Sequence, residues 1–460
     1  MHVPSPRGSR RFLLAALLAV ALPQGAVMAD TPLSIPIHQH VLGNGLRVLL
    51  SPDRTVPVVA ISVYYDVGSR VEQRGRSGFA HLFEHMMFQG SASVGKAEHF
   101  QYVNNRGGTC NGTTSEDRTN YFETLPSSEL ELGLWLEADR MRSLAITAEN
   151  FENQRQTVME ERRQSYENRP YALSFLRINE LAFQGYFPYE HSTIGDMNDL
   201  QAAPLEAVQE FFRNYYAPNN AILALVGDID VDATLRLVEK HFGTIAPHAT
   251  PSFDDPPLAP QGAERSESMP DALAQLPGMH VAYHVPAMRH PDHYALELLG
   301  TVLGDGESSR LYQELVKERE LVQDMSVGTD NRRGPDLFSF FMVLAQGKTG
   351  AEVRTHVDRQ IEDVIRSGVT PRELEKAKNR TRASFIFRLQ TNLQRAMRLT
   401  ESWMYWGDPR LLLSEIDRYE AVTNEDVKRV AGRYLVRTNR TILDVVPTPP
   451  QEDAAAPAAP

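Results

Sequence analysis

A chain of 460 residues is long enough for two or three domains. Its 42% hydrophobic and 23% charged residues match ordinary globular proteins and exclude a disordered, collagenous or disulfide-scaffold chain. Lys+Arg 47 against Asp+Glu 59 leaves a net charge of −12, the wrong sign for neutralising nucleic-acid phosphates or docking on anionic lipid.

In chain order, Arg7, Arg10 and Arg11 precede an apolar run over 12–22, and Val27 and Ala29 put small residues at the −3 and −1 positions of a cleavage site. Residues 1–29 therefore read as a signal peptide and imply an exported, periplasmic protein. An uncleaved anchor is the competing reading, although the run is short for a membrane span. Cleavage after Ala29 removes three arginines and no acid, taking the charge from −12 to −15 and leaving no expected membrane span. Cys110 is the one cysteine, so no intramolecular disulfide can form, and stability must come from large cores.

β-Branched runs at 46–50 and 58–65 read as strands, as do 119–124 and 221–226. Amphipathic helices are expected over 128–143 and 147–167. Residues 246–277, rich in Pro, Ser and acids without hydrophobic periodicity, read as a linker. Beyond it the pattern repeats: strand 278–284, helix 292–303, strand 337–345, helices 351–367 and 371–389, strand 441–446. The tail 448–460 has nothing to bury and reads as disordered. The expected fold is α+β, with two similar halves in tandem at 30–245 and 278–447. Segregated hairpins and helix pairs argue against a doubly wound parallel sheet.

Between Ser77, the expected N-cap, and Gly90, the expected C′ residue, lies a helix carrying His81, Glu84 and His85 on one face. Two imidazoles one turn apart can grip a zinc ion, and the carboxylate beside them is placed to take a proton from water. This is the H-x-x-E-H arrangement; a helix with surface histidines is the bland alternative. A catalytic zinc takes a third protein ligand. The helix around 153–163 offers Glu160 and Glu161, and the chemistry of that stretch does not choose between them.

The motif 81–85, the stretch 107–121 (GGTCNGTTSEDRTNY) and the stretch 153–161 (NQRQTVMEE) together resemble the pitrilysin/insulinase-type zinc peptidases, in the short bacterial branch related to mitochondrial processing peptidase. The resemblance covers about 38–447. It implies two homologous α+β halves, one zinc ion per chain held by His81 and His85, and Glu84 as general base. Its third ligand lies about 76 residues beyond the second histidine, which selects Glu161, with Glu160 as the fallback. The family's supporting Glu on that face is replaced here by Gln154, which keeps hydrogen-bonding capacity without charge. The edge strand of relatives pairs with an extended substrate, which assigns Asn111, Gly112, Thr113 and Thr114 to the peptide backbone; a hairpin that binds nothing is the alternative. Cys110 has no histidine partner in the sequence and reads as an inert thiol.

Self-sufficient relatives carry an Arg and, seven residues on, a Tyr just after the stretch matching 306–314 (GESSRLYQE); this chain has Lys317 and Asp324 there. Lysine cannot reproduce a bidentate guanidinium. His290 and His293 lack the Glu-His pairing of a zinc motif. The resemblance therefore implies a zinc endopeptidase of peptides or unfolded polypeptides, as the zinc-bearing subunit of a heterodimer that closes like a clamshell with a similarly folded partner. The alternatives are a homodimeric peptidase and a non-catalytic, structural or chaperone-like member of the fold. A zinc-storing protein is disfavoured by the absence of His-rich tracts.

Overall fold

The computed structural model describes residues 34–448; the expected signal peptide and all but the first residue of the expected tail lie outside them. Strands β1 (His38–Val41), β2 (Arg47–Pro52), β3 (Val58–Tyr65), β4 (Thr109–Thr114), β5 (Thr119–Pro126) and β6 (Ala221–Gly227) form one sheet in the order β1-β2-β6-β3-β5-β4. Strands β7 (Arg265–Asp271), β8 (Gly278–Val285), β9 (Val322–Thr329), β10 (Asp336–Leu344) and β11 (Arg440–Pro447) form a second in the order β7-β11-β8-β10-β9.

The sheets share one topology. In each, the last strand of the half lies between a parallel neighbour (β2 or β7) and an antiparallel one (β3 or β8). An antiparallel hairpin then completes the sheet and leaves β4 or β9 at the edge. The repeat expected from sequence is thus a repeat of strand order, to which the first half adds β1. The second repeat begins earlier than expected, because β7, the counterpart of β2, lies inside the stretch 246–277 read as linker. Its sequence RSESMPD alternates only between half-buried and exposed positions, so this edge strand sends no apolar signal.

β3 and β6 are buried almost throughout. Each sheet therefore needs covering on both faces. The front of the first packs on its own helices, including α1 (Phe79–Met86), α2 (Glu98–Asn104) and α3 (Leu130–Ser143), in a core that includes Val63, Phe83, Val103, Leu134 and Leu225. Its rear face, Leu49, Ala60, Tyr64, Ile222 and Ala224, is closed by Ala396, Leu399 and Trp403 of the second-half helix Asn392–Trp406. Reciprocally, Ile178 and Ala182 of the first-half helix Ala172–Ala182, with Phe183, Tyr186 and Tyr189, cover Ala282, Leu337 and Leu443 on the second sheet. Residues 35–448 form one compact unit. Among the described residues, no helix is long and apolar enough to cross a membrane.

Candidate metal centre

The helix bearing the H-x-x-E-H motif begins after Gly78, one residue later than expected. Ser77 is not its cap. Its hydroxyl donates to Asp199 Oδ2 at 2.7 Å and accepts from the Asp196 N–H at 2.9 Å. The first-turn donors are met instead by the buried carboxylate of Glu72, which accepts from the N–H groups of Gly78 and Ala80, both at 2.8 Å, while His191 Nε2 lies 3.0 Å from it. A negative charge at this end also favours the helix dipole. Neither residue carried a local sequence signal, since Glu72 precedes the helix by a loop and His191 lies more than a hundred residues on. Gly90 has the positive φ expected of it (98°), but the helix is already capped at Met87.

Phe79, Leu82, Phe83 and Met86 are buried, and Phe83 stacks on Phe211 at 5.3 Å. This fixes the helix rotation, so His81, Glu84 and His85 face outward and are only half buried. Opposite runs a helix, Ala148–Arg162, which we label α4; Thr147 caps it by accepting from the Asn150 N–H at 3.1 Å. Glu161 Oε2 lies 3.7 Å from His81 Nε2 and 3.2 Å from His85 Nε2. Ligand atoms of all three residues fall within 4.8 Å of one another. Bonds of roughly 2.0–2.1 Å in a tetrahedron place neighbouring ligand atoms about 3.3 Å apart, so the spacing and the donor set both fit zinc. Glu160, one residue earlier, turns outward, where its oxygens accept from Arg163 at 3.1 Å and Gln164 at 3.0 Å. Gln154 is buried in the same helix, and its amide donates to Asn153 Oδ1 at 2.8 Å.

Burial, reinforced by neighbouring His85, pushes the His81 imidazole down to about 4, which keeps it neutral and free to coordinate. The contact with His85 holds the Glu161 carboxyl below its ordinary value. Burial raises that of Glu84, the direction that makes a carboxylate a stronger base. Just after Glu161 the helix loosens into a π-helical turn, Arg163–Glu167, a distortion found often at functional sites.

β4 passes beside Glu84. A Cβ on Gly112 would lie 3.1 Å from Glu84 Cγ and from the Tyr121 ring, a tight contact that any larger residue would have to relieve by shifting the Glu84 or Tyr121 side chain. The Asn111 side chain accepts from the Gly112 N–H at 2.9 Å, and Arg118 donates to the Thr113 carbonyl at 2.9 Å. Thr114 pairs with Thr119 at the end of the strand. Among the described residues, the opposite edge of β4 has no strand neighbour. Burial pushes the Cys110 thiol up to about 12, as suits an inert thiol.

A second group of possible ligands, His99, Glu123 and Glu137, lies fully buried under the first sheet. Arg140 is inside it and donates Nε to Glu137 at 3.0 Å, so a guanidinium already supplies the compensating charge. The expected second-half positions differ from a binding pair: Lys317 rests 5.6 Å over the Tyr312 ring, and Asp324 is exposed on edge strand β9. His293 is buried 3.5 Å from Glu297.

Residues 47–195 match the family model described as Insulinase (Peptidase family M16), and residues 202–381 the one described as Peptidase M16 inactive domain. The chain is 30% identical over 423 residues to zinc protease PqqE of Helicobacter pylori, covering 90% of this chain and 94% of that one. It is 23% identical over 412 residues, 86% of each chain, to the mitochondrial-processing peptidase subunit beta of Lentinula edodes. The crystal structure of a protease from Helicobacter pylori superposes with a TM-score of 0.85 at 29% identity, covering 90% of this chain and 100% of that one. The chain belongs to the insulinase family of peptidases, peptidase family M16.

Proposed function

We propose that the chain is a zinc-dependent endopeptidase acting on peptides or unfolded polypeptides, with His81, His85 and Glu161 holding one zinc ion. The convergence of these three side chains, with Glu84 on the same helix face and a free strand edge alongside, carries this reading. The relatives named as zinc proteases support it. When bound, zinc supplies Lewis acidity, polarising the scissile carbonyl and acidifying water. Glu84 takes the proton of the attacking water and returns it to the leaving amine. Asn111 to Thr114 offer backbone groups along which an extended peptide pairs, holding the scissile bond beside Glu84. A strand edge reads backbone rather than side chains, which suits unfolded substrates of varied sequence.

The Arg/Tyr pair is replaced by Lys317 and Asp324, so the reading includes a similarly folded partner that contributes it, with a homodimer as the alternative. The signal-peptide pattern of residues 1–29 supports export to the periplasm. The test is to purify the chain, measure zinc per chain, and assay quenched peptides with and without a co-expressed partner of this fold. One zinc and hydrolysis abolished by Glu84→Gln are expected. Hydrolysis unchanged by Glu84→Gln refutes the mechanism, and full activity of the chain alone refutes the heterodimer.

A further inference from the structure

The turn that joins β4 to β5, residues 115–118, is gripped from three directions. On one side the N–H groups of Ser69 and Arg70 donate to the carbonyls of Ser115 and Glu116 at 3.4 and 2.9 Å. A Cβ on Gly68 would come within 2.4 Å of both of those oxygens, so glycine alone permits the approach. From below, the hydroxyl of buried Tyr189 donates to Asp117 Oδ1 at 2.8 Å. From the second half, the loop between β9 and β10 reaches across: the Arg333 N–H donates to Asp117 Oδ2 at 2.8 Å, and the Gly334 N–H donates to the Tyr189 hydroxyl at 2.8 Å. Arg70 stands 3.5 Å from the same carboxylate. The Arg333 side chain pairs with Asp66 at 2.5 Å. Asp66, Arg70, Glu116, Asp117 and Arg333 line part of a cavity of about 420 Å³ that first-half and second-half residues share.

Asp117 is only 8% exposed, and both its oxygens are committed to donors from different parts of the chain. A carboxylate buried this deeply is expensive unless every acceptor site is met. One side chain therefore ties the turn carrying the edge strand to the second half. Within the reading of β4 as the peptide-binding edge, we propose that Asp117 is a positioning residue: by locking the β4–β5 turn to Tyr189 and to the Arg333 backbone, it sets the distance between the strand edge and Glu84. Substrate then meets a first half whose binding edge is aligned by the second half of the same chain. Loosening the lock lets β4 drift from α1 without touching His81, His85 or Glu161.

The experiment uses the full chain loaded with zinc and carrying Glu84→Gln, with a fluorescent, unstructured peptide as probe. Asp117→Asn puts an amide donor opposite a backbone donor and is expected to weaken peptide binding about tenfold, the size of one lost charge-assisted hydrogen bond. Zinc per chain should stay unchanged. Tyr189→Phe, a milder change that preserves packing, should act in the same direction. Amide exchange needs no substrate: in both variants it should speed at 112–114 and stay slow in α4. Peptide affinity unchanged in both variants, or exchange at 112–114 unchanged, overturns the proposal. Parent protein that binds zinc but no peptide, both alone and with the co-expressed partner, refutes the peptidase reading instead, and exchange alone then decides the lock.

Discussion

Glu161 and Glu160 are neighbours in sequence with opposite surroundings. Glu161 faces two imidazoles, whereas Glu160 lies on the solvent side and pairs with Arg163 and Gln164. Replacing Glu161, the proposed anionic ligand, by Gln should release zinc to a chelator at least tenfold faster. Glu160→Gln should leave the release rate unchanged, because its exposed pairing with Arg163 lies on the far side of the helix from the two imidazoles. Metal analysis after dialysis against the chelator separates the two. At Glu84, the isosteric Gln keeps the shape and removes the proposed base. Hydrolysis should fall by roughly 10²–10⁴-fold with zinc retained, read by parallel activity and metal measurements.

Strands and helices differ in how openly their sequences announce them. The strands buried on both faces were legible as unbroken apolar runs: β3 occupies the expected 58–65, and β6 extends the expected 221–226 by one residue. β7 and β9 are edge strands whose sequences, RSESMPD and VQDMSVGT, carry no apolar run to announce them, and β4 is legible only through the family resemblance. In the site, local spacing revealed His81, Glu84 and His85, which one helix brings together. It could not reveal Glu72 or His191, whose roles exist only once a loop has folded back. Nor could it reveal Glu123 on β5, set against His99 and Arg140 by three separate elements. Burial pushes the Glu123 carboxyl up from 4.5 to about 7. In that window the folded chain holds a proton that the unfolded chain has released. Stability from this group is thus greatest below about 4.5 and falls as pH rises towards 7. Thermal melts should show the wild type losing stability relative to Glu123→Gln across this interval, and parallel curves would contradict it.

Reciprocal covering of the two sheets sets the behaviour of the whole molecule. Leu399 is wholly buried against the rear of the first sheet, whose front carries the helix of the candidate metal centre, although Leu399 belongs to the other half. Leu399→Ala should cost about 2–5 kcal/mol and lower the stability of both halves together. Calorimetry should show one transition, and two would mean that the halves unfold separately. The arrangement is that of a domain swap whose two protomers are joined in a single chain. Joining them replaces a concentration-dependent association with an intramolecular one, at effective concentrations of order millimolar. The strand-free stretch 246–264 adds no strand to either sheet but is pinned to both halves, Asp255 pairing with Arg70 and Gln261 donating to the Arg440 carbonyl at 2.6 Å, so a single proteolytic nick there should leave both sheets clothed and the halves together.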